Sequence, residues 1–441
     1  MPLLPRVALF AIAAATTAVA SPAMDANSSS PIDASRMAGA DIGAKVTSAM
    51  AALPASGGTV RIPAGNYSFA TTMRITHQGQ QLLCDPGAML HYTGSGDAII
   101  IDLAAGASQE IEISGGCLLE GTPAAQNGIH MTPGNTITLR GLRIRGFQKG
   151  NAVALSGANT VEILECAIYG NHHGIDMTTV PDFAPNAVHV ADDNISDNDW
   201  GVYSWNAHVR ATRALGNVYR DTVFEGNRLG DLFLSWDAHT LVEGNYFESS
   251  GVGVAIGTGG NDVFNVHVSR NYFTAGNTSY RSEVEIGDAA DVYIEGNYEE
   301  GVGIGGAATA TGCAVDIVPG IRGGAHRVFL RNAFSRVSEG RTSPHEICYA
   351  GKAQMPPGIL GTWRMAGDLA IDGDLQARGA QLAGELSFAQ GAVASTAEAI
   401  KPGQTCTAEG TLLIAHPPSQ TAQLYFCSGL HWRPVVPHGA K

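Results

Sequence analysis

The stretch VALSGANTVEILECAIYGNHHGIDM, residues 153–177, decides the fold. Val153 and Leu155 flank Ala154, and after a small-residue turn Val161-Glu162-Ile163 alternates in the same way. Alternation of this kind sends apolar side chains to one face of a strand and the residues between them to the other. A short second strand and a Gly turn follow, and Ile175/Met177 then restores the Val153/Leu155 pattern. The same inward pair recurs as Ile129/Met131, Leu232/Leu234, Val254/Ile256, Val284/Ile286 and Val315/Ile317, with Val202/Ser204 as a weaker member. The pairs recur at intervals of roughly 22 to 31 residues, which marks a solenoid whose rungs each hold three strands. Segment 207–221 does not align and is expected to hide an extra rung. Asn194, Asn227, Asn245, Asn271 and Asn297 follow the first strands, where stacked Asn side chains can bond from rung to rung and tolerate left-handed backbone.

Composition agrees. Of 441 residues 55 are Gly, charged residues are 15% and hydrophobic residues 44%, which suits tight turns around an apolar interior and does not suit disorder. The formal net charge of −14 repels a phosphate backbone, so nucleic acid is not an expected partner. Arg6, the apolar run Val7 to Val19 and the small-x-small site Ala18-Val19-Ala20 read as an export signal over residues 1–20, with a polar spacer after it. No later stretch is apolar and long enough to span a bilayer. Seven cysteines suit an oxidising compartment, so a secreted or periplasmic location is expected, with at least one thiol unpaired within the chain.

Gly39-Ala40-Asp41-Ile42-Gly43 precedes a helical pattern over Ala44 to Leu53, and Gly57-Gly58-Thr59-Val60-Arg61-Ile62-Pro63-Ala64-Gly65-Asn66-Tyr67 follows as turn, strand and turn. This order resembles the N-terminal entry of the pectate-lyase-like right-handed parallel β-helix superfamily, which includes polysaccharide hydrolases, lyases, epimerases and phage tailspikes. The resemblance implies an all-β, single-stranded coil over residues 36–356. It also implies an N-terminal helix capping the open end, where a bare edge would otherwise recruit a strand. Polygalacturonase-type hydrolases carry Asn-Thr-Asp, Asp-Asp, Gly-His-Gly and Arg-Ile-Lys motifs. Only Asp192-Asp193 occurs here, which argues against a pectin-specific hydrolase.

Past Pro356, Gly367, Gly373 and Gly379 repeat every six residues, and residues 361–395 look like the thin β-stalk of trimeric fibres, so a homotrimer is expected. Residues 396–441, with Cys406, Cys427, Gly429 and Trp432, resemble the small C-terminal modules of some pilins and tail-fibre-like proteins. So small a module needs a staple, which makes a Cys406–Cys427 disulfide the expected pairing. Cys117 and Cys166 fall near one turn but two rungs apart, about 10 Å, too far to bond to each other.

Down the third strands the outward positions are His130, Ala154, Asp176, Tyr203, Phe233, Ala255, Glu285 and Asp316, flanked by Asp231, Ser235 and Glu283, with Trp205 and Trp236 at strand ends. Aromatic faces stack on the apolar C–H surface of sugar rings, so Tyr203, Phe233, Trp205 and Trp236, with His130, are expected to bind a polysaccharide. The alternative for Tyr203 and Phe233 is a covering loop or a neighbouring subunit. Glu283, Glu285, Asp288 and Asp316 form the densest acidic group. Glu285 and Asp316 should face each other across one inter-strand spacing, where two carboxyls do not both ionise easily. A proton donor beside an ionised carboxylate is what hydrolysis of a glycosidic bond requires, so Glu285, Asp316 and Glu283, with Asp176, are the expected catalytic residues.

The same oxygens could instead hold Ca²⁺. In lyases of the superfamily that ion grips a uronate while Arg or Lys removes a proton, and Glu283, Glu285, Asp288 and Asp316 would be its ligands. Arg281 and Lys149 are the basic residues at hand, and neither sits in a lyase motif. The hydrolase reading needs no cofactor. A non-enzymatic adhesin or fibre protein is the rival from another class, and the stalk-like repeat favours it. His172 and His173 read as turn residues before catalytic ones.

Overall fold

The computed structural model describes residues 30–103, 108–178, 180, 183–205, 213–248, 251–274, 282–300, 313–318, 320–321, 324–336 and 347–349. It also describes three strands near the C-terminus, Leu412–Ala415, Gln423–Ser428 and His431–Pro434. The expected export signal, the expected stalk and Cys406 lie outside these residues. The chain divides into two compact units, one through Asn198 and one from Asp199 on.

The first unit opens with a helix over Ile42–Ala51. Asp41 caps it: one carboxylate oxygen accepts from Ala44 N at 2.9 Å, and the other accepts from Ala70 N and Thr71 N at 2.9 and 3.0 Å. That cap starts the helix two residues before the apolar pattern does. Val46, Ala49 and Met50 are buried, and Gln80 donates to the Met50 carbonyl at 2.8 Å.

Behind the helix each rung contributes three parallel strands. In the first unit the third strands are Met73–Ile75, Asp97–Ile101, Asn127–Met131, Asn151–Ser156 and His173–Thr178. Ile129 pairs with Val153 and Val153 with Ile175, while Met131 pairs with Leu155 and Leu155 with Met177. In the second unit they are Trp200–Trp205, Gly230–Ser235, Val252–Ile256, Ser282–Ile286, Cys313–Ile317 and Ile347–Tyr349. There the register runs Val202, Leu232, Val254, Val284, Val315. Period-two alternation fixes this register, because a one-residue slip would turn every apolar side chain outward.

Segment 213–220 supplies no extra rung. Ala214–Leu215 and Val218–Arg220 both pair with Asp237–Glu243, so they are one first strand broken in the middle. The break disguised its alternation. The interior is apolar and stacked: Phe224, Phe247 and Phe273 sit on successive rungs with ring centroids 5.2 and 4.7 Å apart, all fully buried. Each such ring contributes about 1.5–3 kcal/mol by burial.

Asn245, Asn271 and Asn297 form the expected ladder. The Asn271 side-chain oxygen accepts from the backbone and side-chain nitrogens of Asn245 at 2.9 and 3.0 Å, and Asn297 repeats this toward Asn271. The residue before each ladder member adopts a left-handed conformation, for example Gly244 at φ 70° and Arg270 at φ 56°. Two assignments change. Asn194 is exposed, and Asp193 beside it takes the ladder position, accepting from Cys166 N at 2.6 Å. Asn227 lies at another turn, after the strand Val223–Glu225, where its side chain donates to Asp231 at 2.8 Å.

Cys117 bonds to Cys84, with Cα atoms 5.3 Å apart, and Cys166 is a buried free thiol. Burial pushes the Cys166 thiol up to about 12, so it is a packing residue at neutral pH. Near the C-terminus, Leu412–Ala415, Gln423–Ser428 and His431–Pro434 form a small antiparallel sheet, and Cys427 lies in its central strand.

Candidate functional site

The outward columns of the third strands hold the candidate residues, and each unit has its own. In the second unit one register line runs Tyr203, Phe233, Ala255, Glu285, Asp316. Parallel strands repeat at about 4.8 Å, so two rings and two carboxyls are stacked along one ridge with an alanine between them.

At the ring end the Tyr203 and Phe233 planes stack with centroids 4.8 Å apart, and Trp205 stacks beside both at 6.3 and 5.9 Å. Trp200 closes the cluster, edge-on to Phe233 at 5.2 Å. The row is not an open trough along its length. Gly259 passes against it so closely that a Cβ there would sit 2.5 Å from Trp205 and 3.0 Å from Phe233, which is why that position is glycine. Phe233 is accordingly 8% exposed, whereas Trp205 keeps 36% and Tyr203 is half-buried. Ring surface is therefore open to solvent only at the Trp205 and Tyr203 end.

Trp236 does not join the row. It sits in a left-handed conformation, φ 63°, is buried, and holds the Arg213 guanidinium over its ring at 3.7 Å, with Phe264 on that guanidinium at 4.1 Å. Burial pulls the Arg213 pKa down.

At the carboxyl end every residue of Ser282–Ile286 is buried, with Glu283 at 1% and Glu285 at 6% exposure, while Asp316 is half-buried. The acids are register neighbours as expected, but under cover. Asp231, expected on the outer face, turns to the Asn227 side chain. Asp288 is committed to backbone: its two oxygens accept from Ile321 N and Gly324 N, each at 2.8 Å. Of the four residues expected as calcium ligands, Glu283 and Glu285 are buried and Asp288 accepts from backbone. Among the described residues no three His, Cys, Asp or Glu come together as a metal shell requires. Arg281 lies outside the described residues. Beneath the sheet, Asp237 is wholly buried and accepts from Ser204 at 2.6 Å and Asn217 at 3.0 Å.

In the first unit the matching line is Ile100, His130, Ala154, Asp176. Beside it runs a polar line, Asp97, Asn127, Asn151, His173, in which Asn151 donates to Asn127 at 2.9 Å and Asn127 to Asp97 at 2.7 Å. His130 spans diagonally between rungs, its Nδ1 2.8 Å from an Asp97 oxygen and its Nε2 2.9 Å from the Ser156 hydroxyl. Burial raises the Asp97 pKa, but hydrogen bonds from His130 and Asn127 outweigh it and hold the carboxyl below its ordinary value. Asp176 is bonded to His173 Nδ1 at 2.9 Å and to the Thr178 hydroxyl. The column alignment singled out His130 and Asp176 but missed Asp97, Ser156 and Thr178. Asp193 of the Asp-Asp pair is buried at its ladder position, and desolvation pushes it up to about 8, away from the ionised role that motif would need. Lys149 is exposed in this unit.

A family model for the right handed beta helix region matches residues 127–317. The coil is a right-handed parallel β-helix. No curated protein matches the chain. Among solved structures the chain is similar to DFA-IIIase from Arthrobacter chlorophenolicus A6 in complex with GF2, at 14% identity over 70% of this chain and 88% of that one, with a TM-score of 0.52. DFA-IIIase without its lid aligns at 12% identity over 71% of this chain and 90% of that one, TM-score 0.50. PfbA, a surface adhesin of Streptococcus pneumoniae, aligns at 11% identity over 70% and 91%, TM-score 0.45. At these identities the likeness is one of fold. Among the described residues no helix is long and apolar enough to cross a membrane.

Proposed function

We propose that this protein is exported and acts on a polysaccharide, binding it at the Tyr203 and Trp205 rings and hydrolysing a glycosidic bond with Glu285 and Asp316. The observation that carries the reading is the single register line from Tyr203 through Phe233 and Ala255 to Glu285 and Asp316. Rings supply an apolar platform for sugar C–H faces. Paired carboxyls supply a proton for the leaving oxygen and a base or nucleophile for the anomeric carbon, and their final separation sets inversion or retention. Asp316, the more exposed of the two, is the one placed to meet substrate first. Glu283, on the same strand two residues before Glu285, supports it. The enzyme DFA-IIIase, complexed with GF2, shares the fold, which supports this scaffold as one that can carry such a site.

The proposal extends to the chain's organisation: a signal over residues 1–20, a coil over 36–356, a stalk over 361–395 that brings three copies together, and a terminal module over 396–441 stapled by Cys406 and Cys427. The Cys84–Cys117 bond fits an oxidising compartment.

A second reading has its own observation. Burial of the whole strand Ser282–Ile286 favours a non-enzymatic glycan binder, in which the acids only pack. A panel of polysaccharides, incubated with the wild type, Glu285→Gln and Asp316→Asn, separates the two. Hydrolysis requires shortened chains from the wild type alone, with binding retained by both variants. Binding by all three proteins with no polymer ever shortened establishes the adhesin reading instead. Products with near-ultraviolet absorbance would point to elimination.

A further inference from the structure

We propose that Ser156, His130 and Asp97 form a nucleophile–base–carboxylate relay that hydrolyses a short-chain carboxylic ester. This activity is separate from glycosidic-bond cleavage and uses neither its carboxyls nor its rings Tyr203 and Trp205.

The geometry is that of an activated serine. Asp97 accepts from His130 Nδ1 at 2.8 Å, and the opposite ring nitrogen is 2.9 Å from Ser156 Oγ. An ionised carboxylate at Nδ1 requires the proton on that nitrogen, which leaves the Nε2 lone pair facing the hydroxyl, as general-base activation needs. Asp97 is itself fixed from the other side by Asn127, and Asn127 by Asn151, so the orienting carboxylate cannot swing away. All three relay residues stand on strands of a rigid ladder, in the rungs of Asp97–Ile101, Asn127–Met131 and Asn151–Ser156. The imidazole keeps 26% of its surface in solvent, so a solute can reach it.

A second observation indicates the substrate. Val180 and Phe183 exchange backbone hydrogen bonds at 2.9 and 3.0 Å and form a small β-bridge. Their side chains abut Gly157, the residue after the serine: a Cβ built on Gly157 would lie 2.7 Å from Phe183 Cβ and 2.9 Å from Val180 Cγ2. Both remain half-buried and form an apolar wall next to Ser156. Such a wall suits a short alkyl acyl group, and, resting on the glycan-acting function proposed above, a sugar hydroxyl is the alcohol it would free, so an O-acylated carbohydrate is the substrate class.

In the reaction Ser156 Oγ attacks the acyl carbon while His130 Nε2 takes the hydroxyl proton. The tetrahedral intermediate collapses, the C–O bond to the alcohol breaks, and His130 returns the proton to the leaving alkoxide. Water, deprotonated by His130, then attacks the acyl-serine, releasing the acid and restoring the hydroxyl. One ester and one water give one acid and one alcohol, with no redox step.

The test uses the full chain with p-nitrophenyl acetate and a fluorophosphonate probe, followed by peptide mass spectrometry. The expected result is label on Ser156, and acetate hydrolysis that falls at least 100-fold in Ser156→Ala and in His130→Gln, with Asp97→Asn losing more in kcat than in KM. Because the label is read on the wild type, poor folding of a variant cannot mimic it. A wild type that takes no label at Ser156, or a Ser156→Ala variant that hydrolyses the acetate as fast as the parent, overturns the relay.

Discussion

Glu285 and Asp316 are direct register partners on neighbouring parallel strands, and Ala255 is the register partner of Glu285 on its other side. The small side chain of Ala255 separates the carboxyl pair from Phe233, so the line passes from ring to acid with one alanine between. A polymer seated on the rings would run toward the acids along this line. Glu285 is buried, Asp316 is half-buried and the Trp205 rim is exposed, so binding and stability should respond to different substitutions.

Trp205→Ala should weaken polysaccharide binding by about 1 kcal/mol, roughly fivefold, because one stacking face is lost at an exposed site. Phe233→Ala, at 8% exposure, should instead cost about 3–5 kcal/mol of stability. Titration calorimetry and thermal melts of both variants check this. Equal loss of stability in the two would contradict it.

Asn271→Ala should destabilise the fold by about 3 kcal/mol. It strands the Asn245 amide and the Val242 carbonyl, which Asn271 now satisfies at 2.9 and 3.0 Å inside the coil. Asn194→Ala, at the exposed position displaced by Asp193, should be near neutral. Denaturant midpoints of the two variants make the comparison.

Asp237 gives a pH signature. Burial pushes it up to about 7, from an ordinary 3.8, against hydrogen bonds from Ser204 and Asn217. The folded chain therefore holds a proton that the unfolded chain releases. The contribution to stability is full below about 3.8 and is lost as pH rises toward 7, then stays flat. Asp237→Asn removes this term, so the melting temperature of the variant relative to wild type should climb between pH 4 and pH 7. Parallel profiles would exclude it. Asp193, pushed up to about 8, adds the same trend to both proteins and cancels in the difference.

Reduction of Cys84–Cys117, or the Cys84→Ser/Cys117→Ser pair, should cost roughly 3–4 kcal/mol, the loop-closure value for a bridge spanning 33 residues. Calorimetric scans with and without reductant read it directly.

The rungs were legible because strand alternation has a period of two and the inward pairs leave little choice of register. Ladders were legible only in part: Asn245, Asn271 and Asn297 follow a left-handed residue, but at Asp193 the same role falls to a carboxyl, and the neighbouring Asn194 drew the assignment. Alternation tells which face a side chain leaves from and says nothing of what covers that face, so the burial of Glu283 and Glu285 and the passage of Gly259 over Phe233 were invisible. Trp236, read at a strand end, is buried in a left-handed turn against Arg213, a contact that strand alternation does not encode. Columns also hide diagonal contacts. His130 meets Asp97 and Ser156, 33 residues before and 26 after it, across other columns of the rungs on either side. Cys84 and Cys117 escaped for a related reason, since the inward pairs become regular only at Ile129, past both.

Digestion of a polysaccharide panel in water enriched in ¹⁸O, read by mass spectrometry of the released ends, puts the hydrolytic site to the most direct trial. The account predicts one heavy oxygen on each new reducing end with the wild type, and no new ends with Glu285→Gln or Asp316→Asn. New ends that form at the parent rate in both variants, or that carry no heavy oxygen, would contradict it.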